Sequence, residues 1–276
     1  MKHNLRIIYN FLIYIYARPS LQVLFEKLFR VLIGFMGYMN WSSDFKLTGE
    51  KKLILLLKTN DIRCVLDIGA NSGQWAHMVL NEIETKVISF EPQLEVYKKL
   101  VILKENYKEE FYPFNLALGN YSGKTQINVH GNSSELSFIN PLLNKMPLLE
   151  GNIDHIEEID IVTLDSIYLQ NPVLLNEVDF IKIDTEGHEL DVLLGGEEFL
   201  DAVKPKFIQL EINWHHIFTE TTLYKLSCIL EDYKVFKILP SGSVLYEVNP
   251  KLPVNNLFQL SNFLFVRRDI IFKIEY

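Results

Sequence analysis

The sequence predicts an α/β fold built on a doubly wound, mostly parallel sheet, and three observations lead there. An apolar run, Val65-Leu-Asp-Ile, ends in an acid and opens into Gly69-Ala-Asn-Ser-Gly73, the pattern of a buried strand running into a ligand loop. Short apolar runs at Lys86–Phe90, Phe111–Leu116, Val178–Ile183 and Phe207–Ile212 follow it, separated by stretches that include helical periods. The chain has 276 residues, 48% hydrophobic and 22% charged, which is enough apolar mass for one large core with an appended element.

Residues 1–44 read as an apolar helical extension and residues 45–276 as the domain proper. Leu5–Tyr16 and Leu21–Met39 are two apolar helical runs broken at Arg18-Pro19-Ser20, and both are too short and interrupted for a transmembrane helix. No small-residue cleavage pattern follows the first run, which argues against a signal peptide. Two readings stay open for residues 1–41. They pack on the domain or on a second copy as a homodimer interface. Alternatively they lie on a membrane, with Tyr9, Tyr14, Tyr16, Arg18 and Arg30 at headgroup level. Trp41–Glu50 reads as a turn leading into a helix over Glu50–Lys58.

The first strand is followed by a helix over Gln74–Glu84, the second strand by one over Gln93–Asn106. Thr125–Val129 and Asp160–Leu164 read as additional strands around a long connection, His130–Glu158. That connection reads as a cover over the acceptor side, with Ser133 and Ser134 as candidate substrate contacts, or as a solvated surface loop with its acids Asp154, Glu157 and Glu158. The fourth strand ends in Asp184-Thr-Glu-Gly-His-Glu189 and the fifth in Glu211-Ile-Asn-Trp-His-His216. A helix over Thr221–Asp232 and strands at Tyr233–Leu239, Val244–Val248 and Asn262–Arg267 close the chain as terminal antiparallel strands.

A net charge of −8 supplies no basic field for a polyanion, so nucleic acid is not an expected partner. Two cysteines, Cys64 and Cys228, are too few for a disulfide framework or a zinc site and read as small buried hydrophobes.

The loop chemistry separates two cofactor classes. A dinucleotide fingerprint needs Gly-x-Gly-x-x-Gly with no acid in front, whereas Gly69-Ala70-Asn71-Ser-Gly73 is Gly-x-x-x-Gly and follows Asp67. Asp67 would repel a pyrophosphate and suits a cationic ligand. Glu91, at the end of the second strand, suits the hydroxyls of a ribose. One acid for an ammonium or sulfonium portion and one for a nucleoside describe S-adenosylmethionine. An NAD-dependent oxidoreductase on the same architecture is disfavoured on the same residues.

Asp67-Ile-Gly-Ala-Asn-Ser-Gly73, Phe90-Glu-Pro92, Asn115-Leu-Ala-Leu-Gly119, Thr163-Leu-Asp165 and Asp179-Phe-Ile-Lys-Ile-Asp-Thr-Glu-Gly-His-Glu189 together resemble the FkbM family of S-adenosylmethionine-dependent methyltransferases. The resemblance covers roughly residues 45–215. It implies a seven-stranded Rossmann-like class I methyltransferase sheet whose last strand is antiparallel. It also implies an adenine bordered by Asn115, Leu116 and Ala117, and hydroxyl acceptors on polyketides or on sugars of bacterial surface polysaccharides. Asp184 then faces the cofactor across the switch point where strand order reverses.

Methyl transfer to a hydroxyl needs positioning and a base. His188 is the first candidate for that base, with Asp184 and Glu186 orienting it or binding the acceptor. The alternatives are structural: His188 as a helix cap, and Glu186 or Glu189 as partners of a helix dipole. Glu211 and His215 form a second set for the substrate. No metal site is asserted. The expected protein is a cytoplasmic O-methyltransferase acting on a glycan or small-molecule acceptor, peripheral at the inner face of the membrane if residues 1–41 contact lipid. The alternative is a catalytically inactive cofactor-binding scaffold in a biosynthetic complex.

Overall fold

The computed structural model describes residues 2–38, 42, 44–130, 137, 139, 153–240 and 245–271. Two helices, α1 (Lys2–Tyr16) and α2 (Pro19–Phe35), come first; Pro19 sits at the N-terminal turn of α2, where its missing N–H and fixed φ cost nothing. The short helices α3 (Phe45–Thr48) and α4 (Glu50–Leu57) lead to strand β1 (Cys64–Ile68). Then follow α5 (Gln74–Glu82), β2 (Lys86–Phe90), α6 (Leu94–Tyr107), β3 (Phe111–Phe114), β4 (Ala117–Leu118), β5 (Gly123–His130) and β6 (Ile153–Val162). The chain continues through α7 (Leu164–Gln170), α8 (Pro172–Leu175), β7 (Val178–Ile183), α9 (Glu189–Leu194), α10 (Glu197–Val203) and β8 (Phe207–Ile212). It ends with α11 (His215–Phe218), α12 (Leu223–Ile229), β9 (Tyr233–Ile238), β10 (Leu245–Glu247) and β11 (Ser261–Arg267).

The main sheet has eight strands in the order β10-β9-β11-β8-β7-β1-β2-β3. The expected count of seven is exceeded by β10, a three-residue edge strand paired antiparallel with β9. Strand β11 is antiparallel to both β8 and β9, so β9 itself runs parallel to β8. The terminal strands are therefore not all antiparallel to the sheet as their sequence pattern suggested. Strand order reverses between β1 and β7, which pair in parallel and place their C-terminal ends side by side. At the opposite end of that pair Arg63 clasps Asp179 with three bonds: its backbone N and Nε to Oδ2, both at 2.9 Å, and Nη2 to Oδ1 at 3.0 Å.

Cross-strand partners lie on one face of a sheet, so the register sorts the core into two layers. Leu66, Ile181, Ile183, Ile208 and Leu210 face one layer; Val65, Phe180 and Phe207 face the other, beneath α4 and α5. On this second face the apolar rows stop before the strand ends. Ser89, Asp67, Lys182 and Gln209 are neighbours across β2, β1, β7 and β8, and all four are buried. Glu50 of α4 reaches into the same layer, accepting from Gln209 Nε2 at 2.9 Å and from Thr48 Oγ1 at 2.8 Å. A polar belt thus underlies the crevice.

A second sheet, β4-β6-β5, sits beside the main one. The expected third strand over Phe111–Leu116 ends at Phe114, and residues 117–118 pair with β6 instead. Strand β6 begins at Ile153, so Glu157 and Glu158 belong to a strand paired with β5 and not to a loop. Ser133 and Ser134 lie outside the described residues. Cys64 is buried, as a strand residue should be, whereas Cys228 is exposed on α12. Helices α1 and α2 do not pack into the domain: of their described side chains only Ile33 is buried.

Candidate active site

At the carboxyl end of β1 the chain turns through Gly69, with φ of 81°, and a Cβ there would stand 1.8 Å from the Asp184 carbonyl oxygen. The turn is fixed by Gly69 N and Ala70 N, both donating to Phe90 O at 3.0 Å. Asn71 is left-handed, a conformation Asn tolerates, and its N–H donates to Glu91 Oε2 at 2.9 Å. Gln93 N donates to Glu91 Oε1 at 2.9 Å, so both carboxylate oxygens are held while each keeps a lone pair for a further donor. Asn115 braces the same turn from behind, its Nδ2 donating to Glu91 O and Pro92 O.

Two cavities open over these strand ends. The first, of about 120 Å³, is walled by Gly69, Phe90, Glu91, Leu116, Ala117, Thr185 and His188, among others. The roomier second, of about 370 Å³, is lined on one side by Ala70, Ser72 and Trp75 and on the other by Glu211, Asn213 and His215. Gly69, Asn71, Asp184 and Glu186 border both, so the cavities meet at the β1–β7 switch point.

Of the expected cofactor residues, Gly69, Asn71, Glu91, Leu116, Ala117 and Asp184 line the first cavity, and Ala70 the second. Asp67, Gly73 and Asn115 line neither. Gly73, with φ of 79°, packs against Leu100 and Leu103 of α6, where a Cβ would come within 2.6 Å and 2.9 Å of their Cδ2 atoms. Asp67 is wholly buried beneath the loop; Ser89 Oγ donates to its Oδ2 at 3.4 Å, and its Oδ1 has no hydrogen-bond partner among the described residues.

Burial pushes the Asp67 carboxyl up to about 6, with Lys182 pulling down and Asp184 pushing up, and burial pushes Glu91 up to about 7 against its two backbone donors. Both groups thus keep the acid form to a higher pH than ordinary carboxyls do. The stability this confers is present below their ordinary values and is lost as pH rises through about 6 and about 7. Burial works to lower Lys182, but Asp184, Asp67 and Glu50 outweigh it and keep the ammonium charged. Its Nζ donates to Asp184 Oδ2 at 2.8 Å.

The three histidines of this region each face a carboxylate. His215 Nδ1 is 2.8 Å from Glu186 Oε2, His188 Nδ1 is 3.0 Å from Asp191 Oδ2, and His216 Nε2 is 2.9 Å from Glu189 Oε2. Glu186 therefore engages His215 and not His188. His188 occupies the N-cap position of α9, yet its side chain makes no capping bond. Glu189 does serve the helix start: its Oε1 accepts from Thr185 N at 2.9 Å, and His216 with these donors outweighs burial and holds its carboxyl down to about 2.

Glu186 has φ of 54°, a left-handed conformation costly for this residue type and concentrated at functional sites. Burial raises its carboxyl, partly offset by His215. Glu211 is raised further, by burial and then by Asp184 and Glu186. Asp184, Glu186 and Glu211 bring one oxygen each within 4.8 Å of one another, a spacing that can hold a divalent cation. Protein donors already engage all three: Lys182 on Asp184, and Asn213 Nδ2 on Glu186 and Glu211, both at 3.0 Å.

Lys182 and Asn213 have no assigned role in the sequence reading. Lys182 had a signal, a lysine within the apolar strand Phe180-Ile-Lys-Ile183; Asn213 had none beyond its place between Glu211 and His215.

The sequence profile of the Methyltransferase FkbM domain matches residues 67–234, more than half of the chain. The chain belongs to the FkbM methyltransferase family. Its fold is the Rossmann-like class I methyltransferase fold, and its cofactor is S-adenosylmethionine. The residues fit that group: Gly69, Asn71 and Glu91 border a cavity at the strand ends, the Glu91 carboxylate has lone pairs to spare, and one oxygen of the buried Asp67 beneath the loop has no hydrogen-bond partner among the described residues.

Comparison with curated proteins gives no match. Among solved structures, this FkbM chain is similar to an O-methyltransferase from Bacillus cereus in complex with S-adenosylhomocysteine, at 12% identity and a TM-score of 0.45 over 95% of this chain and 97% of that one. A SAM-dependent methyltransferase from Aquifex aeolicus matches at 15% identity and a TM-score of 0.40, over 83% and 94%. The precorrin-6y C5,15-methyltransferase of Geobacter metallireducens matches at 12% identity and a TM-score of 0.36, over 82% and 94%.

Proposed function

We infer that this methyltransferase acts on a hydroxyl group of a sugar, a glycan or a related small-molecule natural product, with residues 45–276 as the catalytic domain and residues 1–44 as an appended helical extension. The observation that carries the reading is the Glu186–His215 pair at the junction of the two cavities.

When bound, S-adenosylmethionine supplies an electrophilic methyl group on a sulfonium. The first cavity suits its nucleoside. Glu91 accepts the ribose hydroxyls, Leu116 and Ala117 give the base an apolar wall, and Gly69 with Asn71 allows the backbone close approach. Asp67 and Asp184 contribute negative potential beside the loop. The second cavity suits a polyhydroxylated acceptor, since Glu211, Asn213 and His215 offer carboxylate, amide and imidazole groups to hydroxyls. Glu186 takes the hydroxyl proton on its carboxylate. Its raised pKa brings it toward the working pH, where a base is most effective, and His215 fixes its direction. His188 borders the first cavity and holds the second rank for that role.

The test is product formation. Incubating the purified chain with S-adenosylmethionine and a panel of hexosides and nucleotide sugars should yield an acceptor heavier by one methylene, together with S-adenosylhomocysteine, by mass spectrometry. Methylation confined to amine acceptors would contradict the hydroxyl reading.

A further inference from the structure

The N-terminal helices α1 and α2 expose more apolar surface than any other helices among the described residues. Tyr14 is 84% exposed and Phe35 81%, and Ile8, Phe11, Phe29 and Leu32 are all more than half exposed. From residue 6 to residue 32 every side chain is exposed except Ile15 and Leu21, which are half-buried.

Beyond its first three residues α1 has only Arg6 and Asn10 as polar residues, one turn apart, and on α2 Gln22, Glu26 and Arg30 follow at i, i+4 and i+8 with Lys27 on the same side. Apolar side chains make up most of the rest of each helix. A neighbouring protein helix or domain covers a stripe of about 100° and would leave much of that apolar surface wet.

Charge is segregated in the same place. Residues 2–38 carry five Lys and Arg against one Glu, a net +4, while the whole chain is −8, so the remainder carries −12. Length sets the mode of contact. At a rise of 1.5 Å per residue, helices of 15 and 17 residues span roughly 22 and 26 Å, less than the hydrocarbon thickness of about 30 Å. Among the described residues no helix is long and apolar enough to cross a membrane.

The segment after α2 nevertheless ties the two helices to the domain. Lys237 Nζ donates to Met36 O at 3.1 Å and stands 3.5 Å above the Tyr38 ring, and Tyr38 Oη donates to Val254 O at 3.0 Å.

We propose that α1 and α2 form a monotopic anchor that lies in the interface of an anionic lipid bilayer, apolar arcs in the acyl region and basic residues at the phosphates. Aromatic residues and an excess of basic side chains on short apolar helices are what such an interface selects. The acidic remainder is repelled by the same surface and stays in water, which orients the molecule. This anchor stands independently of the reaction and of the acceptor.

The experiment uses the full chain and flotation with vesicles of phosphatidylcholine and phosphatidylglycerol mixed at about 7:3, beside phosphatidylcholine alone. The protein should float with the anionic vesicles. The paired substitution Phe11→Glu and Leu32→Glu should lower partition at least tenfold, and Lys27→Glu with Arg30→Glu should remove the preference for anionic lipid. Both pairs are exposed, so cofactor-induced thermal stabilisation should be unchanged, and that readout separates a lost anchor from a lost fold. A Tyr14→Trp variant should gain fluorescence that brominated acyl chains quench. Protein left unbound in the buffer fraction, or a sedimenting dimer that hides these residues and ignores vesicles, would overturn the proposal.

Discussion

Replacing Gly69 with alanine should lower the melting temperature by about 6–12 °C and eliminate the stabilisation that S-adenosylmethionine gives the wild-type chain. Two costs combine. With φ of 81° the residue lies in the left-handed region, where a side chain costs about 1–2 kcal/mol. The new Cβ would also meet the Asp184 carbonyl oxygen at 1.8 Å and its carbon at 2.8 Å. Those are backbone atoms held by Asp184 N donating to Ile68 O at 2.9 Å, so they cannot swing aside. The strand ends must part, for a total of about 3 kcal/mol, and a chain of this size loses roughly 2–4 °C per kcal/mol. The same movement opens the seam where the two cavities meet, which is why binding should fail along with stability. Calorimetric unfolding with and without cofactor measures both. An unchanged melting temperature would mean that the loop is not held as described.

The largest expected effect on turnover comes from Glu186→Gln, which should lower kcat by about 10²–10⁴-fold while leaving the cofactor dissociation constant within about threefold. Glutamine keeps the shape and the reach toward Asn213 and His215 but has no basic oxygen for the proton. The pH profile gives a separate sign. A base must be ionised, and burial raises Glu186 above the ordinary carboxylate value, so wild-type kcat should rise with pH through that raised value. In the variant this limb should vanish. His188→Ala should cost less than tenfold, because His188 is paired with Asp191 and not with Glu186. A larger loss in His188→Ala than in Glu186→Gln would transfer the base to His188.

The architecture was legible because each parallel strand of the crevice is a short apolar run with an acid at or near its end, as at Asp67, Glu91, Asp184 and Glu211. Strands of two and three residues, β4 and β10, carry too little pattern to be read. In the cofactor loop Gly69, Ala70 and Asn71 border the cavities, whereas Asp67 lies beneath the loop and Gly73 packs on α6. What failed was pairing across distance. His188 lies two residues from Glu186 in the chain, yet the left-handed turn at Glu186 and Gly187 sends that carboxylate toward His215, on a different strand end. Asn115 looked like an edge of the adenine site and instead braces the Glu91-Pro92 turn. The N-terminal helices allowed two readings because sequence does not say what covers an apolar helix, and their exposure shows that the domain does not cover them.

The central claim is that two acids, one beneath the loop and one at the second strand end, select S-adenosylmethionine. It is tested most directly by isothermal titration with S-adenosylmethionine and with NAD, at pH 8 and at pH 5, on wild-type protein and on Asp67→Ala and Glu91→Ala. In the free protein both acids are protonated below their raised values, about 6 for Asp67 and about 7 for Glu91, whereas a cation and ribose hydroxyls call for carboxylates. Binding of S-adenosylmethionine should be tight at pH 8, where both acids are already ionised, and at pH 5 weaker and accompanied by proton release. The account predicts affinity falling by up to about tenfold per pH unit for each acid below its own value, and severe weakening in either variant. Tighter binding of NAD, or S-adenosylmethionine affinity indifferent to pH and to both substitutions, would contradict it.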